Sequence, residues 1–547
     1  MHPCPWCQVT SVDINKPTGY DRDNFVAKNN FELLRQSFLS KDAQPRRQEQ
    51  ILNDYGIRWC IKNLLPGWLP SQKCALDFMH NVFLGIIAHL FTQVLFAGYM
   101  FTGAGGTDSS KQRFEDLVNS VQWPSHVTRL PKNARKLCRN LASSLGENQS
   151  LKKADEWRRL LHITPVLLWW SWKDSSDKIP DTEPPLPSNI RRKPTHSRNR
   201  RSLYSAVLKL CAAVRIFASR TISMSQARLA QDFLVQYCRH QLQLGVPLMI
   251  NHHLSMHLLE MVKLFGPVYG WWLFAFERLN GMFEKVNHNG HDGGRLELTL
   301  MRNWVQTQLL YELLISLPNS AHELERRLLD HYILAEARSC GSMMTQIAIA
   351  RSESTVQNIQ LPRKPLQKTK FLDLRSCDSS CNLYGLLLEY CRHIWSDITL
   401  VDDMSLAPGI TFFASQVAKS LPFVRKDNKF AFITSSDGTS RIPVQIAWLL
   451  AVQVTGKPPH ICAVVQQLLS DDKIPSFPWD LYASTLGIHV SYADKFAEYE
   501  VIPVDRIDTP VALIPIFSKQ IQSPLWVSIS FDHVRISILM LSYFCYS

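Results

Sequence analysis

The chain opens without a positively charged apolar leader: Met1 to Thr10 reads MHPCPWCQVT. Nothing in that stretch would carry the thirteen cysteines, an odd number at irregular spacing, into an oxidising compartment. The expectation is a reduced, intracellular protein without a disulfide framework. A phosphate-cradling loop is lacking too, because Gly103-Ala104-Gly105-Gly106 has no lysine after it, which excludes a nucleotide cofactor bound by that route. No Gly-x-Ser-x-Gly elbow occurs, so the serine-hydrolase reading has no support. There is no internal repeat, which removes solenoids and propellers. The one membrane-like stretch, Val82 to Phe101, carries no charge, but His89, Thr92, Gln93 and two glycines dilute it. Its apolar residues Phe83, Ile86, Ile87, Leu90, Val94 and Leu95 follow the 3.6-residue period, so a buried core helix is expected and no membrane partner.

What is present is ample. The chain has 547 residues, 46% of them hydrophobic and 20% charged, enough for two to four domains with cores of their own. The net charge of +13 favours an acidic partner such as nucleic acid, although a surplus alone names none. Residues 1–174 read as an irregular start followed by helices. Residues 175–201 are proline-rich and then basic, ending in RRKPTHSRNRR. Helix resumes over 202–317, with one long run from Ser202 to about Leu244. Residues 318–369, which hold Arg326, Arg327, Arg351 and the run RKPLQKTK, read as a linker. From 370 to 520 the segments Arg441–Val454, His460–Leu468, Gly487–Val490, Tyr499–Val504 and Pro510–Ile516 are apolar and β-branched, and predict a separate small β-rich domain. Residues 521–547 receive no assignment. The fold class is therefore α+β, mostly helical first and β-rich last.

Several groups of residues carry chemistry. Cys4-Pro5-Trp6-Cys7 has the spacing at which a tight turn brings two thiolates onto one zinc ion; two unrelated thiols read the same way. His253 and His257, in Asn251-His252-His253-Leu254-Ser255-Met256-His257, are four apart and share a face of a helix. Together the four residues make a closed, structural site, whereas a water-facing histidine helix is the bland alternative. Glu277, in an aromatic setting, is either a ligand to a divalent cation or one half of a salt bridge to Arg278's turn or Lys285. Asp77, three before His80, is either a further carboxylate of that kind or a helix N-cap, the blander role being preferred. Cys377, Cys381, Cys391 and His393 form a weak, irregular second metal set. The six cations Arg191, Arg192, Lys193, Arg198, Arg200 and Arg201 fall in eleven residues without an acid, and suit phosphate contact, nuclear import or a solvated loop.

The order of CPWC, GIRW (56–59), LDFMHNVFLG (76–85), ADEWRRL (154–160), LCAAVRI (210–216), NHHLSMHLLEMVKLFGPV (251–268) and FERLNGMFEKVNHNGHDGGRLELTLMRNW (276–304) resembles the transposase of CACTA-type (En/Spm-like) DNA transposons of basidiomycete fungi. The resemblance covers roughly residues 1–310, and the last two segments are its specific part. It implies kinship with the RAG recombinase and an RNase H-like fold whose DDE acids bind two Mg²⁺ or Mn²⁺ ions. It implies that Glu277 matches the third acid, and that Cys4, Cys7, His253 and His257 match that family's zinc ligands. In the family both aspartates precede the Cys-x-x-Cys, which here begins at residue 4. Asp77 follows that motif and does not match by position. One carboxylate cannot hold two cations in line, so the expectation is a truncated or degenerate transposase-derived protein. It would be nuclear, associated with transposon-end DNA, and able to form a homo-oligomer, with Mg²⁺ or Mn²⁺ only if a complete triad exists. The alternative is a domesticated, non-enzymatic protein that binds chromatin or other proteins.

Overall fold

The computed structural model describes residues 2–101, 109–124, 127, 129–130, 153–187, 190, 193–274, 276–277, 280, 295–318, 320–328, 370–373, 381–398, 400–401, 411–412, 417–420, 430–438, 440–452, 460–521 and 523–531. The helices are α1 (Asn30–Lys41), α2 (Pro45–Tyr55), α3 (Met79–Phe96), α4 (Ser110–Ser120), α5 (Ala154–Trp172), α6 (Arg200–Phe217), α7 (Met224–Gln243), α8 (Ile250–Ser255), α9 (Leu258–Phe265), α10 (Arg295–Ile315) and α11 (Leu383–Ile394). The fold class is α+β.

The apolar run expected to be a core helix is α3, which has π-type turns. It is long and apolar enough to cross a membrane, and most of it is buried inside the protein. Phe83, Ile87, Leu90, Phe91 and Leu95 are fully covered, packed into one core with α4, α5 and α6. Helix α5 contains Pro165, whose missing N–H leaves the Leu161 carbonyl without its helical donor. The Cys211 thiol of α6 turns to that carbonyl at 3.8 Å, and the Tyr204 hydroxyl donates to the Pro165 carbonyl at 2.9 Å. The single helix expected from Ser202 to Leu244 is two, α6 and α7. They are separated at 218–223, where Ser223 caps α7 through the Gln226 N–H while the Gln226 side chain returns to the Ser223 N–H.

The strands are β1 (Lys370–Asp373), β2 (Leu400–Val401), β3 (Thr411–Phe412), β4 (Val417–Ser420), β5 (Phe430–Thr434), β6 (Arg441–Val452), β7 (His460–Leu468), β8 (Ile488–Tyr492), β9 (Phe496–Pro503), β10 (Ile507–Phe517) and β11 (Pro524–Ser530). Among the described residues nine of them form one antiparallel sheet, in the order β1-β4-β6-β5-β10-β11-β8, with β7 pairing both β6 and β9. Strand β6 is long enough to carry β5 along its first half and β4 along its second, both on a different edge from β7. The short pair β2–β3 is parallel. Helix α11 closes one end of the sheet by burying Leu387 and Cys391 against Leu450, Cys462 and Val464.

Three expectations change here. Residues 521–547 have no assignment in the sequence, yet β11 lies within them and pairs on both sides, with β10 and β8. The cause is legible afterwards: Leu525, Val527 and Ile529 alternate with Trp526, Ser528 and Ser530, a period of two that a proline start obscures. Helix α11 sits inside the stretch read as β-rich, where no helix is expected. And the sheet is not set apart from the helices. Strands β8, β10 and β11 share one core with α3 to α7. Trp479 and Phe477 stack at 4.7 Å, and both meet the edge of Trp169 on α5. Gln122 and Leu513 exchange backbone hydrogen bonds. Lys173 at the end of α5 donates to the Phe517 carbonyl at 2.5 Å and pairs with Asp177 at 2.8 Å, while the Ser518 hydroxyl and the Lys519 N–H donate to Asp177 at 2.7 Å. The Arg215 guanidinium of α6 donates to the Ser530 carbonyl. Apolar runs show that a strand is covered, but not which element covers it.

Candidate metal centre

Residues 4–9 lie beside residues 25–28, with the Gln8 N–H on the Val26 carbonyl at 2.9 Å and the Lys28 N–H on the Trp6 carbonyl at 3.0 Å. The turn so formed directs the backbone N–H groups of Trp6 and Cys7 at the Cys4 sulfur, each at 3.4 Å. The two histidines arrive from 246 and 253 residues further on. Cys7 Sγ lies 3.2 Å from His253 Nε2, and Cys4 Sγ lies 3.4 Å from His257 Nε2.

The histidines do not occupy one continuous helix. Helix α8 ends at Ser255 and α9 starts at Leu258, with Met256 and His257 in a tightened turn whose N–H groups reach back three residues. The rings still converge, with centroids 5.2 Å apart. His253 Nδ1 lies 2.6 Å from the Gly19 carbonyl, so it carries the proton there and Nε2 presents its lone pair to the thiols. His252, within α8, faces the other way: its Nδ1 accepts from the Met249 N–H, and burial pushes its pKa down to about 3. It is not one of the four.

All four ligand atoms lie within 4.8 Å of one another and all four residues are buried. A tetrahedral ion with bonds of about 2.3 Å to sulfur and about 2.0 Å to nitrogen spaces its ligands by roughly 3.5 Å, close to the sulfur–nitrogen distances seen here. Phe25 packs against both histidine rings, at 4.9 and 5.0 Å, and Trp6 against His257 at 5.2 Å. The thiols are unequal. Burial drives Cys4 upward, whereas hydrogen bonding from Cys4, then His253 and His257, draws Cys7 down despite its burial. Lys28 stands nearby as a buried cation, its ammonium on the Tyr55 carbonyl at 2.8 Å, and burial lowers its pKa. A buried Cys₂His₂ cluster of this kind could hold a metal such as zinc. Among the described residues it is the one such group.

Among the described residues no second metal set assembles. Cys377 lies outside the described residues, His393 is exposed, and Cys381, just before α11, and Cys391, on its buried face, are core residues. Burial pushes Cys391 up to about 12, the behaviour of an inert thiol.

Glu277 is not buried among aromatics: its side chain is 54% exposed, and it faces His80 Nε2 at 3.6 Å. Its sequence-proposed partners Arg278 and Lys285 lie outside the described residues. His80 Nδ1 in turn contacts the Asp77 carboxylate. Asp77 caps the start of α3 by accepting from the Met79 and His80 N–H groups at 3.2 and 3.0 Å. It also accepts from the Leu273 N–H at 3.0 Å, tying the segment before Glu277 to α3. The N-cap reading therefore stands and gains a tertiary role. Sequence spacing contained the Asp77–His80 pair but nothing of its approach to Glu277.

The described part of the basic run is divided between the interior and the surface. Arg198, 4% exposed, donates to the Gly98 and Tyr99 carbonyls at 2.7 and 2.9 Å. Arg201 pairs with Asp181 at 3.2 Å, Arg200 is partly buried, and Lys193 is exposed. Arg191 and Arg192 lie outside the described residues. Charge density in a sequence does not reveal that carbonyls at the end of α3 have first claim on Arg198. Compared with family models, curated proteins and solved structures, the chain has no match in any of them.

Proposed function

We propose that this chain is a transposase-derived, DNA-associated nuclear protein whose helical part is held together by a structural zinc ion. The observation that carries the reading is the closure of Cys4 and Cys7 with His253 and His257 across more than two hundred residues, in the pairing that the resemblance to CACTA-type transposases implies. With zinc bound, the four donors would fix the chain start onto α8 and α9. The approach of Glu277 to α3 through His80 supports its correspondence to the third acid of a DDE set on an RNase H-like core. Two-cation chemistry needs further carboxylates beside it, and Mg²⁺ or Mn²⁺ belongs to the reading only with a complete triad.

The test is filter binding of duplex transposon-end DNA under a salt titration. Three or more phosphate contacts predict a log–log slope of about −3 or steeper. A slope near zero removes DNA from the account. One observation favours a second reading, a domesticated non-enzymatic protein that contacts chromatin or other proteins: Arg198 and Arg201 of the basic run are already engaged within the chain. That reading predicts retained protein capture with no salt-dependent DNA binding.

A further inference from the structure

A cavity of about 610 Å³ opens between the turn joining β5 to β6 and the start of β8, lined by Phe432, Thr434, Ser440, Arg441, Ser484 and His489, among others. That volume suits a small organic ligand rather than a bare ion. One lining residue belongs to an ion pair: Arg441 Nε meets Asp508 Oδ2 at 2.6 Å, with the Asp508 side chain 1% exposed and Arg441 29% exposed. A guanidinium has two edges that can grip a carboxylate through paired N–H groups. Asp508 pairs with this group at Nε. Neither Nη1 nor Nη2 makes a hydrogen bond among the described residues, and Arg441 is one of the residues lining the cavity.

The remaining walls fit the same ligand. The side-chain hydroxyls of Thr434, Ser440 and Ser484 have no hydrogen bond among the described residues, and Phe432, Ala483 and Ile488 supply an apolar side. His489 closes the back, with its Nδ1 buried and without a partner among the described residues. Burial lowers its pKa, so it adds no charge.

We infer that this cavity receives a carboxylate carried on an apolar body, gripped by the free edge of Arg441. The carboxylate comes either from a small organic acid or from the C-terminus of a peptide, and the inference is independent of the transposase reading. Isothermal titration of the full chain with 3-phenylpropionate, with the tripeptide Gly-Gly-Phe, and with its C-terminal amide separates the sources. Saturable binding of the acid or of the free tripeptide, with the amide at least about tenfold weaker, is the expected result, and whichever binds identifies the source. Arg441→Lys keeps the charge but loses the paired N–H edge, and is expected to weaken binding about tenfold. Should that variant misfold, the Ser440→Ala/Ser484→Ala double variant leaves the ion pair intact and is expected to weaken binding about threefold. No saturation by either carboxylate up to about 10 mM overturns the inference. So does an amide that binds equally, phenyl phosphate binding more tightly than both carboxylates, or unchanged binding in the folded variants.

Discussion

Two groups of titratable side chains, each drawn from segments far apart in sequence, stand on opposite sides of the solvent boundary. Cys4, Cys7, His253 and His257 are enclosed, with Phe25 and Trp6 over the rings. Asp77, His80 and Glu277 also gather across about two hundred residues, but His80 and Glu277 stay half-exposed. In the enclosed group every donor has been stripped of water, so its members must be matched by one another or by an ion. In the open group water screens each charge, so the contacts add little to stability and leave the atoms free to meet a ligand. A buried cluster is read as architecture, and an exposed one as chemistry if it has a role at all.

The contrast breaks most readily at the enclosed group. Cys7→Ala and His253→Ala should each lose the bound metal, about one ion per chain by elemental analysis, and destabilise the fold by about 3–5 kcal/mol. Metal content unchanged in both variants would sink the assignment. Trp479→Ala sets a scale from purely apolar burial. It should lower stability by about 3–5 kcal/mol in urea denaturation, and a loss under about 1 kcal/mol would mean that sheet and helices do not share a core.

Asp177 is the intermediate case, a buried polar group with no metal in reach. Burial alone would raise its pKa, yet the Lys173 ammonium, the Ser518 hydroxyl and the Lys519 N–H hold it below 3.8. A carboxylate depressed in the folded state contributes its stability fully above the unfolded value of 3.8, and loses it as pH falls through the folded value. Asp177→Asn should therefore cost about 1–3 kcal/mol at neutral pH and flatten the acid limb of the stability profile below about pH 4. An acid limb identical to that of the unaltered protein would show that Asp177 does not supply it. The smallest effect belongs to the open group: His80→Ala should change stability by less than about 0.5 kcal/mol. A loss several times larger, measured by thermal unfolding, would erase the contrast between the two groups.

How much of this could be read from the sequence varied with the range of the interaction. Strand β7 falls on the expected residues and β6 nearly so, because β-branched runs between turn residues are a local signal. The ligand types of the metal site were legible as spacing. Their actual geometry was not, since the α8–α9 break and the Gly19 carbonyl that orients His253 are backbone features with no residue signature. The burial of Arg198 was illegible for the same reason. Arg198 looks like its neighbours in the sequence, and only the carbonyls of Gly98 and Tyr99 distinguish it. Glu277 misled in the other direction, since flanking aromatics suggested burial while the side chain faces water beside His80.

The position of β11 has a consequence for the order of synthesis. Residues 524–530 pair on both sides within the sheet, and Ser530 receives the buried guanidinium of Arg215. On the ribosome, α5 and α6 emerge more than three hundred residues before the strand that completes their cover. Through most of that interval their apolar faces lack the distant partners that cover them, Trp479 over Trp169 among them. Nascent chains in this condition depend on chaperones, or on slow translation of the intervening segments, to avoid associating with one another.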